Sequence, residues 1–227
     1  MKTINISGFR CDCVAYPGSS TVTYLLYPAL EPFSEEWVTK ISKTHAVSVC
    51  VVYVPADKWN DVLTPWPEPG EAKGFEPFAG EAPKFFDLLV KEIVPECETS
   101  LEIPTIKSRD LIGVSLSGLF TLWQWLQHDT FRNIGSLSGS FWYDGFMEWF
   151  QKQPIPEKKG EAYFLLGVEE PKAHIKAYRS VGENTEAIVE RLKQNNIRVS
   201  FDWVPGNHFS DPVHRATMAF DALYGGM

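Results

Sequence analysis

The segment Arg109-Asp110-Leu111-Ile112-Gly113-Val114-Ser115-Leu116-Ser117-Gly118-Leu119-Phe120 combines an apolar run, a serine and small neighbours. A serine hydroxyl is a weak nucleophile unless a base and an oriented third group assist it. One backbone setting that presents such a hydroxyl is a sharp strand-to-helix turn with glycine two residues before the serine. Gly113 and Ser115 have that spacing. Position 117, where a second glycine is usual, is Ser117, and Gly118 follows. The segment predicts a buried strand over Asp110 to Val114, a turn at Ser115 and a helix to about His128. Gly135-Ser136-Leu137-Ser138-Gly139 looks similar, but neither serine has glycine two residues before it, so it is not read as a second nucleophile turn.

A serine nucleophile needs a histidine within reach, and the chain has five. His45 precedes an apolar strand and so stands at the wrong end of a sheet whose site lies above the strand C-termini. His128 stands at a helix end, where a cation complements the dipole. His174 and His214 read as loop and helix-surface residues. His208, in Val204-Pro205-Gly206-Asn207-His208-Phe209, follows the last strand and is the expected general base. The acid is expected after the strand Ala162 to Gly167. Glu170 is the first choice, Glu169 the second, and Asp144, after the preceding strand, the third. A Ser–His dyad without a nearby acid is the remaining alternative. The oxyanion formed during acyl transfer needs aimed N–H donors. Leu116, after the nucleophile, supplies one. The other is expected after the strand Thr21 to Tyr27, from Ala29 or Leu30, because Pro28 has no N–H.

These residues need elements to hold them. Cys11 to Tyr16 and Thr21 to Tyr27 read as strands joined through Pro17-Gly18-Ser19-Ser20 as a hairpin. Ser34 is placed to cap a short helix opening at Glu35. The run 46–54 is rich in β-branched residues and predicts a strand buried on both faces. Residues 55–80 carry repeated Pro and Gly and predict a long functional loop. Helices are expected over Glu81 to Val94, Trp142 to Gln151, Glu183 to Gln194 with Ser180 and Glu183 as a capping box, and Asp211 to Leu223. Short strands are expected at Ile134 to Leu137 and Val199 to Val204. The alternation predicts an α/β fold: a mostly parallel sheet with antiparallel N-terminal strands and helices on both faces, in a single domain over 1–227.

The 227 residues carry a net charge of −8, with Lys and Arg scattered rather than striped. This argues against nucleic-acid partners and against anionic membranes. No apolar run suggests a signal peptide or a membrane span, so a cytoplasmic chain is expected. Cys11, Cys13, Cys50 and Cys97 read as reduced thiols. Cys11 and Cys13 are poorly placed to bridge each other, and no spacing suggests a zinc site. Aromatics at Trp59, Trp66, Trp142 and Tyr143 either pack loops or line a pocket for a flat substrate group.

The chain resembles the esterase D and enterochelin-esterase-like branch of the α/β-hydrolases over nearly its whole length. The marks are Val22-Thr-Tyr-Leu-Leu26, Leu63-Thr64-Pro65, Leu111-Ile-Gly-Val-Ser-Leu-Ser-Gly118, Gly167-Val-Glu-Glu170, Val181-Gly-Glu-Asn-Thr-Glu186 and Pro205-Gly-Asn-His-Phe209. The resemblance implies that Ser115 is the nucleophile, His208 the base and Glu170 the acid. It implies a small-molecule ester as substrate and no metal or organic cofactor. Two departures stand out: Tyr27-Pro28 replaces the family's His-Gly, and Ser117 replaces the turn glycine. The competing readings are a binding or scaffold protein on the same fold and an acyltransferase using the same residues. A homo-oligomer is compatible with all three.

Overall fold

The computed structural model describes residues 1–30, 32–70, 75–157 and 160–225. Residues 71–74 of the expected long loop lie outside the described set. The described residues build one eight-stranded sheet in the order β1-β2-β4-β3-β5-β6-β7-β8. The strands are β1 (Lys2–Ile6), β2 (Phe9–Val14), β3 (Thr21–Pro28), β4 (Ser48–Val54), β5 (Ser108–Val114), β6 (Ile134–Leu137), β7 (Glu161–Gly167) and β8 (Arg198–Val204). From β4 to β8 neighbouring strands are parallel, while β1 and β2 are antiparallel additions at one edge.

Burial explains the order. All seven residues of β4 are buried, as is most of β3, β5, β6 and β7, whereas β1 and β8 are half exposed. Strands apolar on both faces need neighbours and helix cover on every side, which only the centre of a sheet supplies. The hairpin expected between β2 and β3 therefore does not form. β4 is inserted between them, pairing Cys13 with Cys50 on one side and Tyr24 with Cys50 on the other. The hairpin lies earlier, between β1 and β2, where Ser7 (φ 50°) and Gly8 (φ 87°) make the turn. Positive φ at both central residues suits a tight two-residue turn between antiparallel strands.

Helices α1 (Glu35–His45) and α8 (Pro212–Tyr224) cover one face of the sheet, with Val38, Ile41, Ala216, Ala219 and Phe220 in that core. The other face is covered by α3 (Ala82–Leu88), α4 (Val94–Leu101), α5 (Leu116–Gln127), α6 (Phe146–Lys152) and α7 (Val181–Gln194). Ser34 caps α1, accepting from the Trp37 N–H at 3.1 Å. Asp211 caps α8, accepting from the His214 N–H at 3.2 Å.

Three helix expectations need correction. The helix from Glu81 does not stop at Val94: α3 runs through a π-helical turn, Leu89–Ile93, into α4. Pro95 lacks an N–H, and it falls in the first turn of α4, where the widened turn relieves it of an intrahelical bond. Ser180 does not form a capping box. A helical turn over Lys176–Ser180 already precedes α7, and the Ser180 hydroxyl donates to the Ala177 carbonyl. The helix expected from Trp142 begins only at Phe146, because the chain first turns through Tyr143 and Gly145.

The long loop carries order of its own. A helical turn at Ala56–Lys58 leads into α2 (Trp59–Val62), and Glu68 pairs with Phe78. Among the described residues no helix is long and apolar enough to cross a membrane.

Candidate active site

Ser115 stands between β5 and α5 with φ 57° and ψ −121°, a backbone setting that an L-residue adopts only under constraint. The constraint comes from close packing. A Cβ on Gly113 would run into the Ser117 carbonyl, and one on Gly118 would crowd Ser136 and Gly139. The small residues thus let α5 start directly above the strands. Ser117 adds a tie: its hydroxyl accepts from the Val114 N–H at 2.7 Å and lies 2.8 Å from the Leu26 carbonyl. The residue that departs from the usual glycine fastens the turn to the end of β3.

His208 lies on the loop after β8. Its Nε2 is 3.0 Å from Ser115 Oγ, and its Nδ1 is 2.8 Å from Glu170 Oε2. Glu170 is buried. Its other oxygen, Oε1, receives the Ser138 hydroxyl at 2.7 Å, the Gly167 N–H at 2.8 Å and the Arg215 guanidinium at 3.1 Å. Burial pushes the Glu170 carboxyl up. The hydrogen bond and charge of His208, with the bonds from Ser138 and Gly167, outweigh that and hold it below the ordinary glutamate value.

Of the three carboxylates considered, only Glu170 reaches His208. Glu169 is exposed at the cleft rim, and Asp144 is exposed, its backbone carbonyl accepting from the Trp66 indole at 3.1 Å. Gly167 admits the acid loop, since a Cβ there would meet the Gly206 carbonyl and the Arg215 guanidinium. The Val168 and Glu169 N–H groups bind the Val204 and Gly206 carbonyls, clipping the acid loop to the histidine loop.

Two contributors were not visible in the sequence. Arg215 sits on the buried side of α8, 4% exposed, and bonds Ser138 at 2.7 Å, Glu170, and the Asn207 carbonyl at 2.7 Å. One cation thereby joins the acid to the loop carrying His208. Its signal was an arginine on the same stripe as Ala216, Ala219 and Phe220. Ser138 belongs to the serine-rich segment set aside above. Its hydroxyl donates to Glu170 Oε1 and accepts from Arg215.

The oxyanion expectations divide. Leu116 opens α5, where a backbone N–H has no intrahelical acceptor. The Ala29 N–H donates to the Val54 carbonyl at 2.9 Å, so it is engaged with the neighbouring strand. The Leu30 N–H lies 2.8 Å from the Pro28 carbonyl, and Leu30 lines the cleft.

Ser115 and His208 lie where two lobes of one cleft meet. An apolar lobe of about 330 Å³ is bordered by Tyr27, Pro28, Leu30, Val114, Leu137 and Pro212. A second lobe of about 590 Å³ is bordered by Trp142, Tyr178, Ile175, His174 and Glu169. Trp59 borders both. Trp142 packs on Tyr178 at 4.5 Å between ring centres. Trp66 and Tyr143 do not line the cleft. Trp66 packs on Tyr143 and Trp149, and the buried Tyr143 donates its hydroxyl to the Trp66 carbonyl at 2.6 Å. They brace the loop that carries Trp142.

Sheet order, helix placement and the nucleophile turn define an α/β-hydrolase fold. The chain belongs to the esterase family: the family model described as "Putative esterase" matches residues 28–202. Among solved structures, it is similar to an IroE-like serine hydrolase from Shewanella oneidensis, with TM-score 0.74 and 16% identity over 96% of this chain and 76% of that one. It is also similar to the siderophore hydrolase EstB from Aspergillus nidulans (TM-score 0.73, 16% identity, 98% and 94% covered). The enterobactin and salmochelin hydrolase IroE has TM-score 0.68 and 19% identity, with 99% and 92% covered. A curated relative, the uncharacterized protein YbbA of Bacillus subtilis, is 26% identical over 136 residues, 59% of this chain. The match spans about half of that relative's length, 54%.

Proposed function

We propose that this chain is a serine esterase that hydrolyses a small-molecule carboxylic ester through an acyl-enzyme on Ser115. The observation that carries the reading is the continuous relay from Ser115 Oγ through both nitrogens of His208 to buried Glu170, at 3.0 and 2.8 Å. His208 Nε2 takes the hydroxyl proton as Oγ attacks the ester carbonyl. The Leu116 N–H receives the developing oxyanion. The same imidazole then hands its proton to the leaving alcohol, and the acyl group stays on Ser115. Water, deprotonated by His208, releases the acid and restores the serine. Glu170 fixes the imidazole orientation and stabilises its cationic form. No metal or organic cofactor enters these steps.

Leu30, rather than Ala29, is the second oxyanion donor in this reading. Among the described residues its N–H is held by a three-residue turn to Pro28, not by a neighbouring strand. The Ala29 N–H would have to leave the Val54 carbonyl. The acyl and alcohol parts of the ester occupy the two lobes that meet at Ser115. The family model and the neighbours named as siderophore hydrolases support the esterase class.

A fluorophosphonate probe tests the reading directly. It should form one covalent adduct on the native chain and none on Ser115→Ala, and the same substitution should remove ester turnover with the fold intact. A folded native chain that resists labelling would point instead to a binding protein on this fold. If added alcohol acceptors capture most of the acyl group, the chain is an acyltransferase with the same residues.

A further inference from the structure

All four cysteines of the chain converge on one place in the core. Cys11 and Cys13 lie two apart on β2 and so face the same side of the sheet. Cys50 on β4 is the cross-strand partner of Cys13, and Cys97 comes down from α4. The sulfurs of Cys13, Cys50 and Cys97 lie within 4.8 Å of one another. Cys11 sits in the same core cluster on the same face of β2, with its thiol 3.9 Å from the Phe9 carbonyl. All four are free thiols; three are fully buried and Cys13 is 3% exposed. None lines the cleft at Ser115.

We propose that Cys13, Cys50 and Cys97, with Cys11 as fourth donor, form a binding site for a thiophilic divalent cation of the Zn²⁺ class. The core's need for small apolar side chains is met as well by alanine or valine. It gives no reason for thiols from three separate elements to point their sulfurs at one spot. A soft-donor ion site needs that convergence. A tetrahedral thiolate centre with Zn–S bonds of about 2.3 Å places its sulfurs ~3.8 Å apart. The sulfurs of Cys13, Cys50 and Cys97 already lie within about 1 Å of that spacing.

Charge selects the ion. Each ligating thiol releases its proton to solvent as the metal enters. A divalent ion leaves one less negative charge in the apolar core than a monovalent one such as Cu⁺, and uncompensated buried charge is costly.

The test uses the full chain, reduced and stripped with a chelator, with Co²⁺ as the optical probe. One equivalent should produce thiolate-to-metal charge transfer and the visible bands of a tetrahedral site. One equivalent of Zn²⁺ should erase them and raise Tm. Cys50→Ala and Cys97→Ala should each weaken binding by more than about tenfold, with circular dichroism checking that they fold. Should both unfold, the native cobalt spectrum decides alone. Absence of thiolate charge transfer in the native chain, or unchanged affinity in folded variants, overturns the site.

Discussion

At the residue scale, Arg215 and Glu170 form the pair on which the site turns. Arg215→Met removes the cation that holds Glu170 Oε1, Ser138 and the Asn207 carbonyl together. Breaking a buried pair on one side costs about 3–5 kcal/mol of stability. Because Arg215 acts through Glu170 and His208, kcat should fall about 10-fold or more while KM stays close to native. Urea unfolding and steady-state kinetics separate the two effects, and an unchanged kcat in a folded variant would remove Arg215 from the positioning network. Glu170→Gln should lower kcat by roughly 10²–10⁴ by leaving the imidazole wrongly oriented. Glu170 also predicts an acid limb. A carboxyl held below its unfolded value of 4.5 stabilises the fold above that pH and loses the contribution as pH falls through the lower folded value. The stability gap between native chain and Glu170→Gln should therefore narrow as pH falls below about 5. A gap that persists undiminished to pH 2 is incompatible with this account.

At the element scale, the turn between β5 and α5 depends on Ser117 more than the family pattern suggests. Its hydroxyl bonds the Val114 N–H and the Leu26 carbonyl, tying three elements together. Ser117→Gly restores the usual glycine, yet should cost about 1–3 kcal/mol by leaving buried backbone groups unmet. Thermal unfolding checks this, and a variant as stable as the native chain would show that the hydroxyl is dispensable. The elements themselves were legible wherever local chemistry fixes them. β6 falls on Ile134–Leu137, as expected, and Ser34 caps α1. Other elements were misread. The β2–β3 hairpin followed from a Pro-Gly turn signal, but β4, buried throughout, took the place between them. The helix from Glu81 was expected to end at Val94, but a π turn over Leu89–Ile93 carries it on into α4. In the hairpin's case, burial of the apolar strand β4 outweighed a local turn signal.

At the scale of the whole molecule, the cleft has two lobes with different walls, and this separates Trp142 from Trp66. Trp142→Ala opens the lobe shared with Tyr178 and should raise KM for aryl esters relative to alkyl esters by about 10-fold, on the order of the loss of one aromatic contact. Trp66→Ala should lower Tm and leave that ratio near the native value, since Trp66 touches Tyr143 and Trp149 rather than the cleft. Measuring both ratios with matched ester pairs tests the division. A larger change in selectivity for Trp66→Ala would mean that the brace, not the wall, sets the shape of the site.

The sequence alone determined the positions from which a nucleophile, base and acid could act. Ser115, His208 and Glu170 each follow a strand, and strand, turn and order along the chain are local properties. It left Glu170, Glu169 and Asp144 as rivals, because all are carboxylates after strand ends. Tertiary structure brings Glu170, alone of the three, to 2.8 Å from His208. It also engages the Ala29 N–H with Val54, puts Arg215 against Glu170, and gathers three scattered cysteines. Each of these depends on contacts between residues far apart in the chain. Such contacts are fixed by which strands become neighbours, and no local periodicity encodes that choice.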